Sequence, residues 1–91
     1  SRLDHRQAVR EHLKPHLRYP ENRIQGWVEV RLVLKAGGRL EQGEVLTATD
    51  PLLQRLAMEG IRSADPYPAF PPGMEGESAD YAFRIRYRLE E

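Results

Sequence analysis

Residues 27–35 alternate without a break. Val28, Val30, Leu32 and Leu34 fall on one side, and Trp27, Glu29, Arg31, Val33 and Lys35 on the other. A period of two sustained over such a run fits an extended strand and no helix, and charges on a single side imply a sheet with one wet face. Residues 80–89 repeat the pattern, with Tyr81, Phe83, Ile85, Tyr87 and Leu89 inward and Arg84, Arg86 and Arg88 outward. Between them, Ala36-Gly37-Gly38-Arg39 supplies the positive-φ positions of a tight turn. A second strand over 39–46 therefore folds back on the first as a hairpin, and Gly43 inside it reads as a bulge.

Two other stretches carry helical spacing. Residues 3–14 are rich in straight-chain helix formers and lack Gly and Pro, with Val9, Leu13 and Leu17 at i, i+4 on an otherwise charged surface. Asp4 is placed as the cap, and Pro15 ends or kinks this helix at Lys14. Tyr19-Pro20-Glu21-Asn22 follows as a turn. A second helix opens with Asp50 as N-cap and Pro51 at its first position. Leu52, Leu53, Leu56, Ala57 and Ile61 mark its buried face, and it ends near Arg62 or Ser63. Residues 64–78 contain Pro66, Pro68, Pro71 and Pro72 and form an extended connector, with Tyr67 and Phe70 packing onto the core.

The order is helix, strand, strand, helix, strand. The helical crossover returns the third strand parallel to the second, so it pairs antiparallel with the first. This is an α+β chain: a three-stranded antiparallel sheet of order 2-1-3 with two helices on one face. Its 91 residues make a single domain, residues 1–91, with 1–7 a frayed helix start or a linker remnant. The third strand is the best strand former in the chain and lies on an edge. Either something covers such an edge or it exists to be paired.

Several function classes are disfavoured. The 14 basic and 14 acidic side chains cancel, so the chain as a whole has no field to draw in nucleic acid. There is no cysteine, hence no disulfide framework, thiol nucleophile or Cys-rich zinc site. His5, His12 and His16 lie within ~40° of one another on an ideal helix. Pro15 interrupts that register and no acidic ligand accompanies them, so they read as exposed helix-face histidines and not as a metal site. Ser1, Ser63 and Ser78 lack a nucleophile elbow, and the glycines lack a phosphate-loop context. The expectation is no enzyme, no metal and no cofactor.

The row Arg84, Arg86, Arg88 supports two readings. It could bind phosphates while Trp27 or Tyr19 stacks a base. Equally, it is the solvated face of an edge strand, with Glu29 on the neighbouring strand as a cross-strand partner.

Taken in order, these motifs resemble the C-terminal domain of the TonB/TolA family. Tyr19-Pro20 follows a helix, and residues 26–34, Gly-Trp-Val-Glu-Val-Arg-Leu-Val-Leu, look like that family's first strand. Gly37-Gly38 with Arg39-Leu40, Asp50-Pro51-Leu52-Leu53, Phe70-Pro71-Pro72 and Phe83-Arg84-Ile85-Arg86-Tyr87 are similar to its hairpin, helix entry, F-P-P and closing strand. The resemblance covers about residues 8–89. There are departures. Only Glu21 to Gln25 separate Tyr19-Pro20 from Gly26, closer to the TolA-like spacing. The tryptophan many TonB-like members carry near the end of the second helix is missing, as are the cysteines of some TolA members, so the branch stays open.

The resemblance implies a periplasmic binding module of an energy transducer anchored in the inner membrane, with the tether outside these residues. It implies as partner a peptide of an outer-membrane transporter or a Tol-system protein, taken up by β-strand addition. The recruiting residues would be Tyr81, Phe83, Arg84, Ile85, Arg86, Tyr87, Arg88 and Leu89, with Tyr19, Pro20 and Trp27 as further contacts. A homodimer through paired edge strands and a nucleic-acid module built on the Arg row are the alternatives.

Overall fold

The computed structural model describes residues 1–21 and 23–88. At its centre runs β1 (Gly26–Lys35), flanked by β2 (Leu40–Ala48) and β3 (Ser78–Tyr87), both antiparallel to it, in the order β2-β1-β3. The alternation that marks β1 and β3 in the sequence is therefore the alternation of the sheet. Val28, Val30, Leu32 and Leu34 have no exposed surface, and Tyr81, Phe83, Ile85 and Tyr87 are each at least nine-tenths buried.

The inner face is closed by two helices. α1 (Arg2–Leu13) contributes Val9 and Leu13, and α2 (Pro51–Ser63) contributes Leu53, Ala57 and Ile61, all to one apolar cluster with the sheet. Asp50 caps α2 as expected, its Oδ1 accepting the Leu52 N–H at 2.8 Å, with Pro51 in the first turn. The cap of α1 is different. Ser1, not Asp4, is the N-cap: its Oγ accepts the Asp4 N–H at 3.3 Å. Asp4 sits inside the first turn, where a carboxylate still favours the positive end of the helix dipole. At Pro15 the helix tightens into a single 3-10 turn, Lys14–His16, and stops.

The hairpin corrects one expectation. β2 bulges at two places, where Leu46 and Glu41 have no partner on β1, whereas Gly43 pairs in register with Leu32. Gly43 is small for another reason: a Cβ there would stand 2.7 Å from Ile61 Cγ2, so α2 presses directly on the strand. At the turn only Gly38 has positive φ, at 97°.

The connector over 64–77 is hooked onto this hairpin. Tyr67 N–H donates to Gly38 O at 2.9 Å and Phe70 N–H to Ala36 O at 2.8 Å, while Asp65 Oδ1 accepts the Leu40 N–H at 2.9 Å. The buried Tyr67 hydroxyl donates to Ile61 O at 2.7 Å. These bonds fix where β3 begins.

A Cβ on Gly38 would lie 2.1 Å from the Tyr67 carbonyl oxygen, in addition to the unfavourable φ, whereas one on Gly37 meets nothing within 4 Å. Gly38→Ala should therefore cost roughly 1–3 kcal/mol. In thermal unfolding that is a fall in Tm of ~10 °C for a domain of this size. Gly37→Ala should leave Tm within ~3 °C.

Candidate functional site

A three-stranded sheet has two edges, and they differ here. The β2 edge is broken by its two bulges, which bend a strand and spoil it as a template for pairing. The β3 edge keeps unbroken register with β1 from Ser78 to Tyr87. In an antiparallel ladder, alternate residues turn their N–H and C=O away from the partner strand. The phase follows from two bonds: Ala36 N–H donates to Glu77 O across the β1 side, and Arg6 Nη2 reaches Ala82 O from outside the sheet at 2.8 Å. Tyr81, Phe83, Ile85 and Tyr87 thus bond β1, and Asp80, Ala82, Arg84 and Arg86 turn their backbone groups to the open edge.

Along the second half of that edge lies a groove of about 470 Å³. One wall is residues 83–88, and the other comes from the end of α1 and the segment after it: Arg10, Leu13, Lys14, Leu17 and Tyr19. Its lining carries five cations, Arg10, Lys14, Arg84, Arg86 and Arg88, and no carboxylate. Two are engaged by neighbours. Lys14 Nζ is 3.2 Å from Glu11, and Arg84 bonds Glu29 at 2.6 Å while its guanidinium stacks 3.9 Å above the Trp27 ring. Arg10, Arg86 and Arg88 make no ion pair among the described residues. At the groove's end Tyr19, 58% exposed, stands edge-on to Tyr87 with ring centroids 5.9 Å apart. The Tyr87 hydroxyl is buried without a hydrogen-bond partner among the described residues. Burial, with Tyr19 adding to it, pushes its pKa up to about 12.

The residues singled out from the sequence are thus spread over four places. Phe83, Arg84, Ile85, Arg86, Tyr87, Arg88 and Tyr19 line the groove. Tyr81 is buried under α1, and Pro20 is buried beside a second, shallower hollow formed with Leu52 and Leu56. Trp27 lies on the wet face of the sheet, with the Arg84 guanidinium stacked on one face of its ring. Leu89 lies outside the described residues.

The α1 wall was not anticipated, although Arg6, Arg10 and Lys14 are spaced i, i+4 in the sequence and form a stripe on the helix. The histidines also need correction, since they are not a row of exposed side chains. His5 is 2% exposed, with Nε2 2.8 Å from Pro68 O and Nδ1 2.6 Å from the Tyr81 hydroxyl. A carbonyl can only accept, so Nε2 carries the proton and the tyrosine donates to Nδ1. His12 Nε2 donates to Ala64 O at 2.8 Å, and His16 Nδ1 lies 3.3 Å from Ser63 Oγ. All three fasten α1 and its following turn to the rest of the fold.

Residues 15–89 match the family of the Gram-negative bacterial TonB protein C-terminal. The chain belongs to that family. Among solved structures it is similar to two NMR solution structures of the Helicobacter pylori TonB C-terminal domain. One has a TM-score of 0.74 at 24% identity, covering 93% of this chain and 80% of that one. The other has a TM-score of 0.73 at 24% identity, covering 96% of each. At that identity the likeness speaks to the fold. No curated protein sequence matches. As a TonB C-terminal domain the chain is a periplasmic protein-interaction module serving energy transduction and transport, in a family whose partners are outer-membrane TonB-dependent transporters.

On the wet face of this TonB domain, Arg31 joins all three strands. Its Nη2 lies 2.5 Å from Asp80 on β3 and its Nη1 3.3 Å from Glu44 on β2. The Arg31 hydrogen bonds hold the Asp80 carboxyl below its ordinary 3.8. A lowered folded-state value means that the link stabilises fully above the unfolded value and is lost as pH falls through the folded one. Asp80→Asn should therefore lower Tm slightly at pH 7, and the difference from wild type should shrink as pH falls below the ordinary carboxylate range.

Proposed function

We propose that this domain grips its transporter by β-strand addition: an extended peptide from the outer-membrane protein pairs with β3 in the groove beside α1. The observation that carries this reading is the open β3 edge at Arg84 and Arg86, whose backbone groups face the groove. Strand addition draws affinity from main-chain bonds and specificity from alternate side chains. The five cations without a lining carboxylate favour an acidic peptide, which they would steer in and hold in one orientation. Tyr81, Phe83, Ile85 and Tyr87 keep the strand flat from beneath, and Arg84, Arg86 and Arg88 follow it along the wet side, with Tyr19 closing the end. Pro20 fixes that tyrosine, and Trp27 fixes Arg84.

The mechanism is mechanical and uses no cofactor. The whole of 1–91 acts as one grip on a tether anchored in the inner membrane, and a pull on the docked strand loads several ladder bonds together.

Chemical-shift titration of the labelled domain with acidic peptides from the periplasm-facing segments of TonB-dependent transporters tests this. Shifts should concentrate at 83–88 and persist in moderate salt, and N-methylation of the peptide's pairing amides should abolish binding. Arg86→Ala with Arg88→Ala should weaken an acidic peptide about threefold to tenfold, mostly at low salt. Concentration-dependent broadening of β3 with no response to any peptide would instead mean pairing between two copies.

A further inference from the structure

The β3 edge is not open along its whole length, because a side chain of α1 already bonds it at Ala82. Arg2, Arg6, Arg10 and Lys14 recur every four residues along the helix. Arg2 Nη2 reaches the Glu75 carbonyl at 3.4 Å, just before β3 begins. Arg6 Nη2 donates to the Ala82 carbonyl at 2.8 Å, with its guanidinium 5.5 Å from the Phe83 ring centroid. Arg10, one turn further on, lies 6.0 Å from the same ring and lines the groove with Lys14. Ala82 is an edge residue, and its carbonyl is the acceptor an added strand would need there. That strand's backbone would lie ~4.8 Å from β3. A guanidinium nitrogen 2.8 Å from the oxygen occupies the place of its N–H.

We infer that Arg6 is a stop: it ends the open stretch of the β3 edge at Phe83 and so sets the register and length of an added peptide to about five residues paired at Arg84 and Arg86. The inference rests on the strand-addition reading. Arg6 is a specificity-determining residue here, since it excludes pairing beyond Phe83 without contributing to the bonds that hold the peptide.

The test compares two N-acetylated, C-amidated peptides of alternating Thr and Val with one Glu, five and nine residues long, by titration and by interstrand NOEs. With the wild-type domain the longer peptide should bind within twofold of the shorter, and NOEs from either should reach Arg84 and Arg86 but not Ala82. Arg6→Met keeps an apolar stem over Phe83 and removes the donor. It should bind the nine-residue peptide about tenfold more tightly, through the freed backbone groups of Ala82, with NOEs reaching Ala82 and Asp80. The five-residue peptide should be unchanged. Arg6→Gln, too short to reach the carbonyl, should act in the same direction and serves if the methionine variant does not fold. NOEs to Ala82 in the wild type, or a nine-residue peptide indifferent to both substitutions, would overturn the stop while leaving strand addition standing. Failure of the five-residue peptide to bind either protein would overturn both.

Discussion

The sheet is organised around β1, whose two edges are both taken by antiparallel neighbours and whose inner side chains, Val28, Val30, Leu32 and Leu34, have no contact with solvent. Once β1 is central, β2 and β3 must be edges, and all helical cover goes to the one apolar face. The hairpin fixes β2 beside β1. The connector, hooked to Gly38 and Ala36, delivers β3 to the other side in register. The module's open edge is thus a consequence of having only three strands.

The two edges are managed by different physical means. β2 is blunted by bulges and pressed by α2 through Gly43. β3 stays regular, and the cations of α1 divide it: Arg6 bonds the edge at Ala82, while Arg10 and Lys14 stand back and form the far wall of the groove. α1 itself is held in place by His5, whose two ring nitrogens bridge Pro68 and Tyr81 from beneath. A polar staple inside an apolar stripe therefore positions the arginines that face the edge.

Much of this was legible in the residues because periodicity reports directly on which face is buried. The alternation of β1 and β3, the Asp50-Pro51 start of α2 and the order 2-1-3 follow from patterns spanning many residues. What was misread depends on contacts between distant segments. Gly43 looks like a bulge until Ile61 is seen against it, and the real bulges at Leu46 and Glu41 fall on residues with no local signature. Ser1 and Asp4 are both good caps three residues apart, and only the bond between them decides. His5 did carry a signal, since it precedes Val9 and Leu13 at i, i+4 on the buried stripe. The groove's α1 wall escaped because an arginine stripe on a helix looks the same in sequence whether it faces water or a strand edge. Charge balance over the whole chain concealed a groove with cations only.

Amide hydrogen exchange of the free domain, residue by residue along β3, tests the central claim most directly. An open edge at Arg84 and Arg86 predicts fast exchange at those two amides beside slow exchange at Phe83 and Ile85, whose N–H groups bond β1, with the fast pair becoming protected when an acidic peptide is added. Arg84 and Arg86 amides already as protected as Phe83 and Ile85 in the free domain, or protection appearing on β2 when peptide is added, would contradict it.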